Sequence, residues 1–384
     1  MLLGIGYLPQ RTGPGLWRDF DPAEIADDLA HIAALGFQAV RVPLFWGDFQ
    51  PALDQVHTPA LDRFERFLRL SEEAGLTVEA GLWAGMWDGA LWWPEWGVTP
   101  APLPPHWPLL VDHRRLRWGR VRHPFSDERM LAARGLLIQE LVATFGGHPA
   151  LLGWEPLPGF GRLAAAVERS AVRDWQADSV ERMRAASPGC DCTFLLALEA
   201  LESPNTLWPD AVLAAGGQPS LSIAAFASDR RRLPLNPRWI AFALDVAAGL
   251  AGQPISMHLA GLPTAPPGEP SFALHGSYYA HEEEAGRFLA AVIAIARDRG
   301  CPRLWLWRWA DIPAAHWEQP PYDQATWRRH TGLLRQNGQE KALIQGLRAT
   351  SADPLPSPIL FDRDAYRADP AALFLRLWRD AQQT

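Results

Sequence analysis

His148-Pro-Ala-Leu-Leu-Gly-Trp154, continuing through Glu155-Pro-Leu-Pro-Gly159 to Phe160, reads as a buried strand that breaks into a loop. Leu151 to Trp154 is short and apolar, and two prolines and a glycine follow it closely, which marks a covered strand ending at a rim. Glu155 is the one carboxylate in the stretch. What the stretch is part of follows from its flanks.

A capped helix is expected from Asp127 to Phe145 before it, and a helix from Leu163 to Ala186 and a strand from Cys192 to Leu198 after it. The same rhythm runs through the chain. Upstream, a strand at Leu2 to Tyr7 leads to Asp21-Pro-Ala-Glu24, which supplies an N-cap, a proline at the first helical position and a capping-box glutamate. Ile25, Leu29, Ile32 and Leu35 share one helical face, closed by Gly36, and the strand Ala39 to Phe45 follows. A helix from Thr58 to Gly75 and a strand from Leu76 to Leu82 come next. Downstream come a short helix near Ala211, strands at Ser220 to Ala227 and Pro254 to Leu259, and helices at Pro237 to Leu250 and Glu282 to Arg299. A strand at Arg303 to Trp309 and a helix at Lys341 to Arg348 complete the series. Eight strand and helix alternations with near-continuous apolar strands predict an α/β fold, a (β/α)8 TIM barrel forming a single domain over residues 1–350. The competing open, doubly wound sheet would need a glycine-rich phosphate turn, and Gly4-x-Gly6 before Tyr7 and Leu8 matches one poorly. Residues 351–384 are expected to form a C-terminal extension: a strap through Pro354, Pro356 and Pro358, then a helix docking through Leu373, Phe374, Leu377 and Trp378.

Composition narrows the function. With 384 residues, 48% hydrophobic, 21% charged and a net charge of -7, the chain is expected to be globular, and its cations read as scattered rather than massed for nucleic acid. The short run Arg230 to Arg232 does not alter that. No apolar run is long enough for a membrane span, the first residues lack the parts of a signal peptide, and three cysteines do not make a disulfide framework; a cytoplasmic location is expected. His106, His113, His123 and His258 show no metal-site spacing, so neither metal nor cofactor is expected.

Several motifs, taken in order, carry a resemblance: Val40-Arg41-Val42 with Trp46-Gly-Asp-Phe-Gln-Pro51; Gly85-Met-Trp-Asp-Gly89 with Trp93-Pro-Glu-Trp96; His148 to Trp154; Trp305-Leu-Trp-Arg-Trp-Ala-Asp311; Pro320-Pro-Tyr322; and Gly332-Leu-Leu with Gly338 and Lys341. Together they resemble the clan A glycoside hydrolases, the barrel group of cellulases, β-mannanases and β-galactosidases, over nearly the whole barrel. The resemblance implies two carboxyl groups at the ends of the fourth and seventh strands, about 5 Å apart in a retaining enzyme. Anchored on Trp154, the fourth-strand Asn-Glu pair falls on Pro158 and Gly159. Anchored on Pro254 and Gly261, the seventh-strand Glu falls on Leu259. The substrate-contacting His of the third-strand loop becomes Met86, and the sixth-strand His-x-Tyr falls near Phe226 and Ser228. The departures gather where chemistry would occur.

The reading is therefore a glycoside-hydrolase-like barrel that has lost its carboxylate pair and binds an oligosaccharide or polysaccharide at the carboxyl-terminal mouth. Glu155, four residues before the expected Glu and about 13 Å deeper along the strand, is expected to pair with Arg41 inside the barrel. The alternative is an active hydrolase with relocated carboxylates, Glu155 with Asp229 or Glu199; a third reading has the tryptophan-rich segment from Trp83 to Pro124 meeting a protein partner. The expected ligand contacts are Arg41, Trp46, Trp87, Asp88, Trp93, Asp229, His258 and Trp307, the last at the position of the clan's sugar platform. Each also has a plain structural reading, as an ion pair, a loop tie or core packing.

Overall fold

The computed structural model describes the chain except for residues 103–108, 113–114, 160–162, 164–167, 205, 227–232, 350–353 and 383–384. Eight parallel strands form one sheet: β1 (Leu2–Gly6), β2 (Ala39–Phe45), β3 (Thr77–Ala84), β4 (Leu151–Pro156), β5 (Thr193–Ala197), β6 (Gln218–Ile223), β7 (Ser256–Leu259) and β8 (Arg303–Leu306). Their spatial order is β4-β3-β2-β1-β8-β7-β6-β5. A parallel bridge from Trp154 to Cys192, with the Trp154 amide donating to the Asp191 carbonyl at 2.8 Å, joins the two ends. The sheet is a closed (β/α)8 barrel, and an open doubly wound sheet is excluded.

The helices that cover it are α1 (Pro22–Ala34), α2 (Thr58–Glu73), α3 (Glu128–Leu137), α4 (Arg169–Ala186), α5 (Pro209–Ala214), α6 (Pro237–Ala251) and α7 (Glu282–Asp298), with a short α8 (Gln345–Arg348) after β8. Beyond Leu137, α3 widens into a π-type turn at Ile138–Val142 before ending at Phe145. In α1 the Asp21 carboxylate accepts from the amides of Ala23 and Glu24, and Ile25, Leu29 and Ile32 are fully buried. Glu24 does not close a capping box. Its carboxylate turns to the loop after β1, accepting from the amides of Arg11 and Thr12, because that loop folds down beside the helix start.

The parallel register sorts each strand into an inner and an outer row, since paired residues of neighbouring strands face the same way. One row runs Gly6, Arg41, Glu79; another runs Ser222, His258, Trp305, Gly4. A Cβ on Gly4 would collide with the Trp305 ring, so glycine here lets an indole fill the barrel interior. The alternate row, Ile223, Leu259 and Leu306, lies against the helix layer, where Leu259 shares a cleft with Leu289 of α7 and Leu343.

The C-terminal residues continue into α9 (Arg363–Ala368) and α10 (Pro370–Ala381). Phe374 and Trp378 of α10 meet Trp239 and Phe242 of α6, with ring centroids 4.8 to 5.8 Å apart.

Candidate active site at the barrel mouth

The mouth is roofed by the long segment after β3, which folds into short strands of its own. Met86–Trp87, Ala90–Trp92, Leu110–Asp112 and Arg115–Leu116 form a small sheet, and Val98–Thr99 pairs with Arg120–Val121. Its tryptophans anchor it to the end of β2: Trp93 and Trp96 lie 5.1 and 5.4 Å from Trp46, and the Trp96 indole donates to the Gln50 carbonyl at 2.9 Å. Trp107, expected in the same cluster, lies outside the described residues.

At the end of β4, Leu157 and Pro158 cross towards β3. The Leu157 amide donates to the Leu82 carbonyl at 2.9 Å, and the Pro158 carbonyl accepts from the Met86 amide at 3.1 Å. Leu157, Trp83 and Asp88 hold positive φ angles of 53, 56 and 52° without being glycine. Such backbone costs about 1 to 3 kcal/mol per residue and collects around functional sites. Gly159 has φ +78°, and a Cβ built on it would overlap the Cβ of Met86. The residue standing where the clan's proton donor is expected thus has no side chain, and the residue standing for the clan's substrate-contacting His fills the space one would need. Across the mouth, Leu259 sits in the outward row of β7, while the inward residue is His258.

Beneath this roof lies an ion pair. Arg41 Nε donates to Glu155 Oε2 at 2.6 Å and a second guanidinium nitrogen reaches the same oxygen, with both side chains 2% exposed or less. Burial pushes the Glu155 carboxyl up to about 7, the Arg41 charge opposes that and the neighbouring Glu79 adds to it. Glu79 is itself raised by burial, against the charges of Arg303 and Arg41, and accepts from the Thr193 hydroxyl at 3.0 Å. His258 is driven well below the usual imidazole range, first by burial and then by Arg41, so it stands neutral with its ring stacked 5.8 Å from Trp305. Glu155 is buried and paired with Arg41, and Glu199 is exposed on the 3-10 turn Leu198–Glu202.

The expected contacts separate accordingly. Arg41, Trp87 and Trp307 come together as a column: the guanidinium lies 4.9 Å from the Trp87 ring, and Trp87 stacks on Trp307 at 5.2 Å and 28°. Only Trp307 of the three is partly exposed. Trp46 and Trp93, each 2% exposed, anchor the roof, because an indole this large gains more from packing under the loop than from facing solvent. Asp88 is tied to Arg308 and to the Tyr322 hydroxyl at 2.6 Å. Burial opposes the charge of Arg308, but Asp88 and its neighbours hold its pKa above the usual value. His258 is 2% exposed, and Asp229 lies outside the described residues. Sequence reading did not foresee Arg308 and Tyr322 as the partners of Asp88, although the quoted Pro-Pro-Tyr322 motif contained the signal.

Two clefts open at this end. One, bordered by Trp307, Gly261, Leu262 and Thr331, is the narrow cleft that Leu259 shares with Leu289 and Leu343 on the helix side of β7 and β8. The other, of about 560 Å³ and open to solvent, lies among the loops after β1, β2 and β8, walled by Phe45, Trp92 and Tyr322 and rimmed by the Arg18 and Asp48 ion pair at 2.6 Å.

Among solved structures, a GH5_18 protein from Streptomyces cattleya in complex with GlcNAc superposes with a TM-score of 0.75 at 20% identity, covering 100% of this chain and 91% of that one. The fold is that of glycoside hydrolase barrels. A GH5_18 protein from Bifidobacterium longum, in complex with Manβ1-4GlcNAc, matches with a TM-score of 0.70 at 17% identity over 92% of this chain and 80% of that one. The exo-β-1,4-mannosidase Op5Man5 from an Opitutaceae bacterium matches with a TM-score of 0.71 at 18% identity, and the chain spans only 60% of its length. No protein-family model matches the chain, and no curated protein does either. No helix among the described residues is long and apolar enough to cross a membrane.

Proposed function

We propose that this chain is a glycoside-hydrolase-like barrel without hydrolytic activity that binds an oligosaccharide or polysaccharide at its carboxyl-terminal mouth. The observation that carries the reading is the packing of Met86 against Gly159: one residue lacks the carboxyl group and the other occupies its space. Leu259 in the outward row of β7 supports it, since the stretch from Ser256 to Ala265 contains no carboxylate to serve as nucleophile. Binding rests on Trp307, whose partly exposed indole is backed by Trp87 and Arg41 at the end of β8. A flat apolar face matches the C–H face of a sugar. The GH5_18 structures in complex with GlcNAc and Manβ1-4GlcNAc make Manβ1-4GlcNAc the first ligand to try.

The test is a titration with Manβ1-4GlcNAc and β-1,4-manno-oligosaccharides followed by tryptophan fluorescence. Saturable quenching or enhancement is expected in the wild type, weakened at least about tenfold in Trp307→Ala, a loss of roughly 1.4 kcal/mol. Absence of any response in the wild type would overturn the glycan-binding reading.

A further inference from the structure

Trp118 stands apart from the column that ends at Trp307. It is 92% exposed, at the turn between Arg115–Leu116 and Arg120–Val121, whereas every other tryptophan among the described residues is buried or partly buried. Leu116 beside it is 37% exposed. Arg114, Arg115, Arg117, Arg120 and Arg122 fall close together in sequence, and no acidic residue lies between Asp112 and Asp127. In a chain of net charge -7 this is a local massing of cations that the reading of the sequence as evenly scattered passed over. Arg115 and Arg120 are exposed. Arg117 is 38% exposed and reaches Glu95 at 3.5 Å, a carboxylate that is itself 77% exposed; Arg122 pairs with Asp127 at 3.3 Å. Arg114 lies outside the described residues.

The turn that holds the indole out is a defined one. The Arg117 amide donates to the Leu110 carbonyl at 2.9 Å, and the Thr99 hydroxyl donates to the Arg120 carbonyl at 3.0 Å. Between them Gly119 adopts φ +144° with its Cβ direction closed off by Val98 and Thr99, so only glycine fits. An indole held in water by a built turn forgoes the burial that stabilises the others. The same segment packs on the end of β2 through Trp93 and Trp96, which lie against Trp46.

An aromatic plane among guanidinium groups suits a ligand with both a flat apolar ring face and negative charges, because Arg pairs with carboxylate or sulfate while the indole stacks. The apolar part is small. One aromatic side chain buries about 150 to 250 Å², well short of the ~800 Å² that each partner contributes to a typical protein interface. We infer that this arm binds an acidic polysaccharide, with Trp118 stacking on a sugar ring and Arg115 and Arg120 pairing with its carboxylate or sulfate groups. The inference rests on the glycan reading of the mouth and adds that the natural ligand carries negative charge.

Wild type, Trp118→Ala and the double variant Arg115→Gln/Arg120→Gln are to be titrated with oligogalacturonate, with β-1,4-manno-oligosaccharide and with vesicles of phosphatidylserine and phosphatidylcholine. Oligogalacturonate is expected to bind the wild type more tightly than the neutral sugar, with affinity falling roughly sevenfold between 50 and 200 mM salt when the two charges are paired. Both variants should lose about tenfold or more for the acidic sugar and keep neutral binding at Trp307. The replaced side chains are exposed, so unchanged melting temperatures confirm that the variants are folded. Neutral binding without a preference for the acidic sugar, or acidic binding indifferent to Trp118→Ala, would overturn the inference and leave the mouth reading standing. If neither sugar binds, both fall. Vesicle binding lost in Trp118→Ala, with no binding of the acidic sugar, would overturn it in favour of a membrane contact.

Discussion

Gly159 and Met86 are the pair on which the site turns. Because glycine at 159 adopts φ +78° and faces the Met86 Cβ, Gly159→Ala combines an unfavourable left-handed backbone with overpacking. A loss of about 2 to 4 kcal/mol is expected, read as a lower urea midpoint with an unchanged slope; a neutral substitution would mean that the loop relaxes freely and that Met86 excludes nothing. Glu155 gives a second test. Its carboxyl stands at about 7 against an ordinary value of 4.5. Between those values the folded state holds more protons than the unfolded one, so its contribution to stability is fully present below pH 4.5 and is lost as pH rises to about 7. Asp28, raised to about 6 chiefly by burial, acts with the same sign over the lower part of that window, so the informative quantity is a difference. Glu155→Gln should flatten the fall in unfolding free energy between pH 4.5 and 7 relative to wild type. Equal slopes would place the Glu155 pKa near its ordinary value.

At the scale of elements, the strands were legible because barrel strands covered on both faces are nearly continuous apolar runs between capped helices; β2 matches its expected limits and β4 runs two residues further than read. The pairing of Arg41 with Glu155 was legible for a related reason: opposite charges inside covered strands must neutralise one another, here across the intervening β3. What covers the strand ends was not legible. Strand alternation says which way Trp46 or His258 points, but it does not say that Trp93 and Trp96 will close over Trp46, or that Trp305 will fill the barrel beside His258. Nor does alignment on Pro254 and Gly261 reveal that Leu259 falls in the row facing α7. The C-terminal helix α10 carries its own prediction. Phe374 is fully buried between Trp239 and Phe242, so Phe374→Ala should cost about 3 to 5 kcal/mol. A loss below 1 kcal/mol in chemical unfolding would show α10 to be a loosely attached appendage.

The whole molecule has the barrel fold of glycoside hydrolases, and on the proposed reading Gly159 and Met86 fill the place of their chemistry. The strained residues Trp83, Asp88 and Leu157 and the column from Arg41 to Trp307 lie together at the mouth of the closed sheet. The same mouth has Gly159 and Leu259 at the positions where the clan resemblance puts carboxyl groups, and the buried acids near it are paired, Glu155 with Arg41 and Asp88 with Arg308 and Tyr322. The most direct measurement is product release from Manβ1-4GlcNAc and from a panel of aryl β-glycosides by wild type and Glu155→Gln side by side. Neither protein should release sugar above the buffer rate. Turnover by the wild type that Glu155→Gln abolishes would contradict the account.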